Sequence, residues 1–245
     1  MATFVDTASN MMVGQVDLTG LCESYAFGDL SIAAVPFTTY ADRGWVANKP
    51  GLKSGTFTAT LFADYATGVL DDQLGVAALG GTYAVTVIPD DPAPVAGDLA
   101  WFSRGYLGRY NPLTGSVGEA AKAELELPYD RPFVRGTLLH PKTARTANGN
   151  GTAVALTGPT ASQRLYAALH VTAYSGLTNV VVKIQSDDAV GMASATDRIT
   201  FSTVTGVGSE FTSVAGGFST ETHVRATWTV TGSGSITFAV VCGVL

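Results

Sequence analysis

Charge and sulfur are what this 245-residue chain has least of. Asp, Glu, Lys and Arg make up 14% of it against 46% hydrophobic residues, proportions that argue against a disordered segment or a charged coiled coil. Its two cysteines, Cys22 and Cys242, lie near opposite ends and form no metal-ligand or redox spacing. They are expected as reduced core residues, and no further role is read for either. Bases are outnumbered, 14 against 20 acids, for a net charge of −6. That excludes the clustered Lys/Arg surface needed to displace counterions from nucleic-acid phosphates. No apolar run approaches the roughly 18 residues of a membrane helix. The first residues, "MATFVDTASNMMVGQVDLTG", lack the basic start and unbroken apolar stretch of an export signal. The expectation is a soluble protein made in the cytoplasm, with no membrane partner. Nor does any repeat of about 20–50 residues occur, which excludes propellers and solenoids.

What remains is rich in Gly, Thr, Val, Phe and Tyr, with turn residues at short intervals, and this predicts an all-β protein. The length accommodates one large β-domain or two ordinary ones. Charge divides the chain unevenly: residues 1–145 hold 15 acids and 10 bases, residues 146–245 hold 5 and 4. Between them "KTARTANGNGTA", 142–153, is small and polar, reading as a linker or an exposed crossing. Two domains are therefore expected, a β-sandwich over 1–145 and a second, Ig-like or jelly-roll β-sandwich over 146–245.

In "SGTFTATLF", Phe57, Ala59 and Leu61 share one face and Thr56, Thr58 and Thr60 the other, as a half-buried strand requires. "DYATGVLDDQLGVAALGG" follows, placing Leu70, Leu74 and Ala77 on one helical stripe that Gly80 and Gly81 stop. Asp71 and Asp72 fall on its solvent side. In the second part, "SQRLYAALHVTAYSG", "TNVVVKIQSDD", "DRITFSTVTG", "TETHVRATWTVTG" and "SITFAVVCGV" read as separate strands between Gly, Ser and Asp turns. The last is apolar on both faces, as an interior strand is.

Catalytic chemistry finds little to stand on. Neighbouring acids in the pairs Asp71–Asp72, Asp90–Asp91 and Asp187–Asp188 diverge on a strand and do not converge on a helix, so none forms a dyad unaided. The latter two sit in turns, where Asp serves the backbone. His140, His170 and His223 match no metal-ligand spacing, and no nucleophile elbow, phosphate loop or dinucleotide fingerprint occurs. The expectation is a non-enzyme with no catalytic residue, metal or cofactor. Tyr174 and Trp228 are either a sugar-stacking platform, hence candidate glycan contacts, or core aromatics.

Residues 1–141 resemble the tail tube proteins of long, non-contractile-tailed bacteriophages. The resemblance rests on order: early hairpin strands, the loop "YADRGWVANKPGLKSG", the strand-into-helix "GTFTATLFADYATGVLDDQL", then "GTYAVTVIPDD", "GDLAWFSRGYLGRY" and "EAAKAELELPYDRPFVRGTLL". It implies a β-sandwich flanked by one helix whose sheets join those of neighbours in six-fold rings, stacked into a tube that conducts DNA. The expected partners are copies of the chain in a hexamer, other tail proteins and transiently passing DNA, and the expected location is the virion. It further implies that the loop Tyr40–Lys53 reaches the adjacent ring, nominating Arg43, Trp45 and Lys49 as interface residues. Residues 146–245 exceed that family's core and resemble exterior sandwiches appended to phage tail proteins, for which host-surface glycans are candidate ligands. Rival readings are a head-decoration or tail-tip protein, and a carbohydrate-binding module.

Overall fold

A computed structural model describes residues 8–36, 48–89 and 92–245. The protein is all-β with one short helix. The first part comprises β1 (Asn10–Val13), β2 (Val16–Asp17), β3 (Cys22–Phe27), β4 (Ser31–Pro36), β5 (Asn48–Ser54), β6 (Thr56–Phe62), α1 (Leu70–Leu74), β7 (Thr82–Ile88), β8 (Leu99–Tyr106), β9 (Arg109–Thr114), β10 (Lys122–Pro128) and β11 (Val134–Arg145). The second adds β12 (Gly149–Asn150), β13 (Val154–Ala155), β14 (Arg164–Asp187), β15 (Thr196–Thr200), β16 (Gly208–Ala215) and β17 (His223–Val244).

In β6 the expected alternation holds: Phe57, Ala59 and Leu61 are buried, and β6 lies in a four-stranded antiparallel sheet ordered β3-β6-β10-β9. That sheet packs its apolar face on β1, β2 and β7, with Leu125, Leu127, Val85, Val87 and Met11 in the core between them. The helix closes this core with Leu70 and Leu74. It is shorter than its apolar stripe predicts. Gly75 takes an extended conformation against the Asp71 carbonyl, where a side chain would collide, so the helix ends at Leu74. Ala77 falls in a following 3-10 turn and is exposed.

The second core is made by one strand pair folded over itself. β14 and β17 run antiparallel from Leu165↔Val244 to Asp187↔His223. Gly176 and Gly232, read in the sequence as turn residues, do not reverse the chain. With φ near 71° and 99°, and with register shifts between Ser175 and Asn179, they bend the paired strands in mid-course. Both arms of the bend then face one interior: Leu169 and Val171 of one arm and Val180, Val182 and Ile184 of the other share a core with Phe238 and Val240. The final strand is buried on both faces, as its composition predicts, between β14 and β11.

The two parts are joined by an eleven-stranded sheet whose main path runs β15-β14-β17-β11-β8-β7-β1-β2. It curls so that β14 and β16 return over β7, enclosing a third core of Met12, Ala84, Phe102, Leu138, Ala168, Phe211 and Val241. Both sides of the 145/146 position supply this core. Residues 142–153, read as a linker or an exposed crossing, run along the surface and pair in part with the sheet. β11 continues to Arg145 beside β17, Gly149 pairs with Trp228, and Lys142 forms an ion pair with Asp17.

Candidate assembly surface

β4 and β5 form a two-stranded antiparallel ribbon belonging to neither larger sheet. It leaves the four-stranded sheet where β3 ends and β6 begins, and its base is clamped by rings. Phe27 lies edge-on to Phe57, with centroids 5.7 Å apart, and packs on Phe133 at 5.0 Å and Tyr129 at 6.1 Å. Gly28, at φ 85°, donates its N–H to the Tyr129 hydroxyl (3.3 Å), and the Tyr129 N–H reaches the Gly55 carbonyl (2.9 Å). Burial raises the Tyr129 phenol pKa, keeping it neutral as a hydrogen-bonding partner. The contacts of Phe27 and Gly28 with Tyr129 and Phe133 join residues about a hundred positions apart, so no local pattern in "SYAFGDLSI" marks the strand break at Gly28 or the clamp.

Beyond the clamp every residue of β4 is exposed, although its sequence, SIAAVP, is almost wholly apolar. Leu30, Ile32, Val35 and Leu52 stand open, Leu52 by 85%. Large side chains so exposed on a structured ribbon make it a candidate contact surface. Lys49 lies on this ribbon, opposite Val35. Arg43 and Trp45 lie outside the described residues.

The four-stranded sheet also leaves both of its edges, β3 and β9, without a strand partner among the described residues. Its outward face carries Ser24, Ala26, Thr58, Thr60, Glu124 and Glu126, small and acidic side chains, with Arg109 paired to Glu124 at 3.0 Å.

The two aromatics weighed as glycan contacts sit differently. Trp228 is 4% exposed, its indole N–H donating to the Ala147 carbonyl (3.0 Å) while His140, Phe238 and the Arg145 guanidinium crowd its ring. Its ring faces core neighbours, not solvent. Tyr174 is half-buried, its hydroxyl pointing at the carbonyls of Leu177 (3.2 Å) and Val204 (3.4 Å). The structure does not bring the two together on one open face.

The acids are engaged locally. Asp71 accepts the Tyr110 hydroxyl (2.8 Å) and Asp72 the Gly68 N–H (2.9 Å). Asp187 accepts the N–H groups of Ala189 (3.1 Å) and Ser194 (2.8 Å). Desolvation raises its pKa, but these bonds and one with Asp188 outweigh it and hold the group at about 2. Asp90 and Asp91 lie outside the described residues. Among the described residues no group of three His, Cys, Asp or Glu side chains could hold a metal ion.

Two histidines are buried as neutral rings. His170 Nδ1 donates to the Gly14 carbonyl (2.8 Å), leaving Nε2 to accept the Thr86 hydroxyl (2.8 Å), so this ring ties β14 to β7 and the β1–β2 turn. His140 Nδ1 donates to the Phe238 carbonyl (3.2 Å) and its Nε2 accepts from Arg145 Nε (3.0 Å). Burial lowers both to about 4, and the Arg145 charge adds to the effect at His140.

No family model matches the chain, and no curated protein does. Among solved structures it is similar to the PVC sheath/tube terminator of an extracellular contractile injection system in the extended state, at 15% identity and TM-score 0.44, over 55% of this chain and 97% of that one. It is similar to a chain of that system's sheath-tube complex in the extended state at 16% identity and TM-score 0.41, over 53% and 88%. It is also similar to SPP1 Dit (gp 19.1), described as a hub adsorption apparatus in phages infecting Gram-positive hosts, at 12% identity and TM-score 0.34, over 98% and 100%.

Proposed function

We propose that the chain is a structural subunit of a phage tail, the major subunit of its tube, which closes into six-fold rings and stacks them around a channel for DNA. The observation that carries this reading is the β4–β5 ribbon, packed on rings at its base and exposing Leu30, Ile32, Val35 and Leu52, which no other described residues bury. An apolar ribbon left open in a monomer gains most of its stabilisation on association. The edge β9, which has no further strand beside it among the described residues, supports ring closure, since a strand edge is satisfied by the edge of a neighbour and a closed ring leaves none over. The outward face with Thr58, Thr60, Glu124 and Glu126 would then line the channel. Small side chains leave room, and carboxylates repel passing phosphates.

The second part, resting on the opposite side of the shared sheet, would form the outer wall, where it meets other tail proteins or host-surface glycans. In this role the chain is not an enzyme and needs no cofactor. Electron microscopy of the purified chain across a concentration series is expected to show rings and then tubes. Quantitative mass spectrometry of the particle is expected to find the chain among its most abundant proteins. A chain that stays monomeric, even with its assembly partners, overturns the reading, and a handful of copies per particle moves it to the tail tip or head surface.

A further inference from the structure

We infer that residues 146–151, the strap lying over Trp228, are a self-modifying segment: when the strap lifts from β17, Asn148 and Asn150 cyclise onto the glycines that follow them, and the isoaspartyl product keeps it from returning. Asn–Gly occurs twice in succession here, in "ANGNG", and nowhere else in the chain. Packing imposes both glycines. A Cβ on Gly149 would stand 2.7 Å from Cζ2 of the Trp228 ring, and one on Gly151 would stand 3.2 Å from the Leu139 carbonyl and 3.3 Å from that of Ala226. A glycine amide is also the least hindered nucleophile that can follow an asparagine. The close fit on β17 and the lability of the Asn–Gly step therefore have one cause.

Docking engages the reacting groups. Asn148 Oδ1 accepts the Val230 N–H (2.7 Å) and Asn150 Oδ1 accepts the Thr227 hydroxyl (2.7 Å). Gly151 donates its N–H to the Ala226 carbonyl (2.8 Å), Gly149 lies in register with Trp228, and the Ala147 carbonyl takes the indole N–H. A carboxamide fixed on β17 cannot swing to the next peptide nitrogen. Yet β12 is only two residues long, and 146–148 and 151–153 on either side of it belong to no strand. Lifting the strap breaks a few bonds and leaves the β14–β17 pair whole, which makes it a local opening.

Once lifted, the Gly149 nitrogen adds to the Asn148 carboxamide carbon, its proton and the carboxamide –NH2 leave as ammonia, and a succinimide ring closes. Asn150 and Gly151 react alike. Water then opens the ring at either carbonyl. One opening gives aspartate, whose carboxylate at position 148 accepts the Val230 N–H again. The other gives isoaspartate, with the chain routed through Cβ and one carbon longer, so Ala147 and Gly149 can no longer both hold their places beside Trp228. At position 150 the extra carbon separates Gly149 from Gly151 in the same way. No enzyme and no co-reactant other than water is needed.

The test follows the peptide 146–164, which trypsin frees between Arg145 and Arg164, by mass spectrometry. One sample is the full chain aged in mildly alkaline buffer and then digested; the other is the peptide cut free before ageing. Deamidation in the chain is expected to be slower by roughly tenfold or more, since only the lifted fraction reacts. Thr227→Val removes a bond to the strap and is expected to speed the reaction in the chain several-fold, while low urea is expected to leave the rate unchanged, as local opening does. Aged chains enriched in isoaspartate are expected to exchange the Val230 and Gly151 amides roughly tenfold faster than fresh ones. A chain that reacts as fast as the free peptide, a Thr227→Val rate equal to the parent's, a rate that climbs with urea in step with global unfolding, or unchanged exchange in the aged chains each overturns the inference.

Discussion

The β14–β17 pair and the β4–β5 ribbon are the same object, two antiparallel strands joined by backbone hydrogen bonds, set in opposite surroundings. β14–β17 bends on itself, lies against β11 and β16, and buries Val182, Ile184, Phe238 and Val240 completely or nearly so. The ribbon has comparable apolar content in SIAAVP and buries none of it. Strand pairing sets direction and register in both. What separates them is whether the described chain supplies a cover, and that divides residues that hold the fold from residues the fold leaves open.

Substitutions can sharpen that division, beginning with the most damaging. Phe238→Ala opens a cavity under the His140 ring, which stacks on it at 4.3 Å. It should cost about 3–5 kcal/mol in urea unfolding and bring the protein close to its limit. Acid should act next. His140 and His170 are neutral in the fold with pKa values of about 4, while unfolded histidine titrates near 6.5. Their contribution is fully present above about pH 6.5 and is lost as pH falls towards 4, at roughly 3 kcal/mol per ring. Thermal melts between pH 7.5 and 4 should show the fall, and His170→Gln should flatten it; a profile level over that window would show that the rings are not buried neutral.

Smaller effects test finer points. Trp228→Phe keeps the ring packing and loses the bond to Ala147, for about 1 kcal/mol by chemical denaturation. Thr137→Val should go the other way, by up to about 1 kcal/mol, because the Thr137 hydroxyl is buried with no hydrogen-bond partner. At the ribbon, Leu52→Asp should leave the unfolding midpoint unchanged within about 0.5 kcal/mol, since the residue loses no cover. A large loss there would mean that the ribbon packs on its own chain after all, and the contrast between the two pairs would collapse.

Much of the local structure was legible in the sequence. The alternation in "TFTATLF", the two apolar faces of "ITFAVVC" and the Leu70–Leu74 stripe each follow from side-chain period alone, and each is where the chain puts it. The errors were of range. Gly176 and Gly232 look like turns because glycine permits both a reversal and a bend, and only the cross-strand register distinguishes them. The small polar residues 142–153 look unanchored because their anchors, Trp228, Asp17 and β17, are distant in sequence. Nothing in the order of the β4 residues records that no other strand among the described residues covers them, nor that Tyr129 and Phe133 hold the ribbon by its base.

The sheet that crosses position 145 has a mechanical consequence. To swing the second part against the first, the pairing of β11 with β17 must shear, and the His170 tether to Gly14 must part. The molecule therefore behaves as a single stiff lever. A force applied to its second part is passed through hydrogen-bonded strands towards the first.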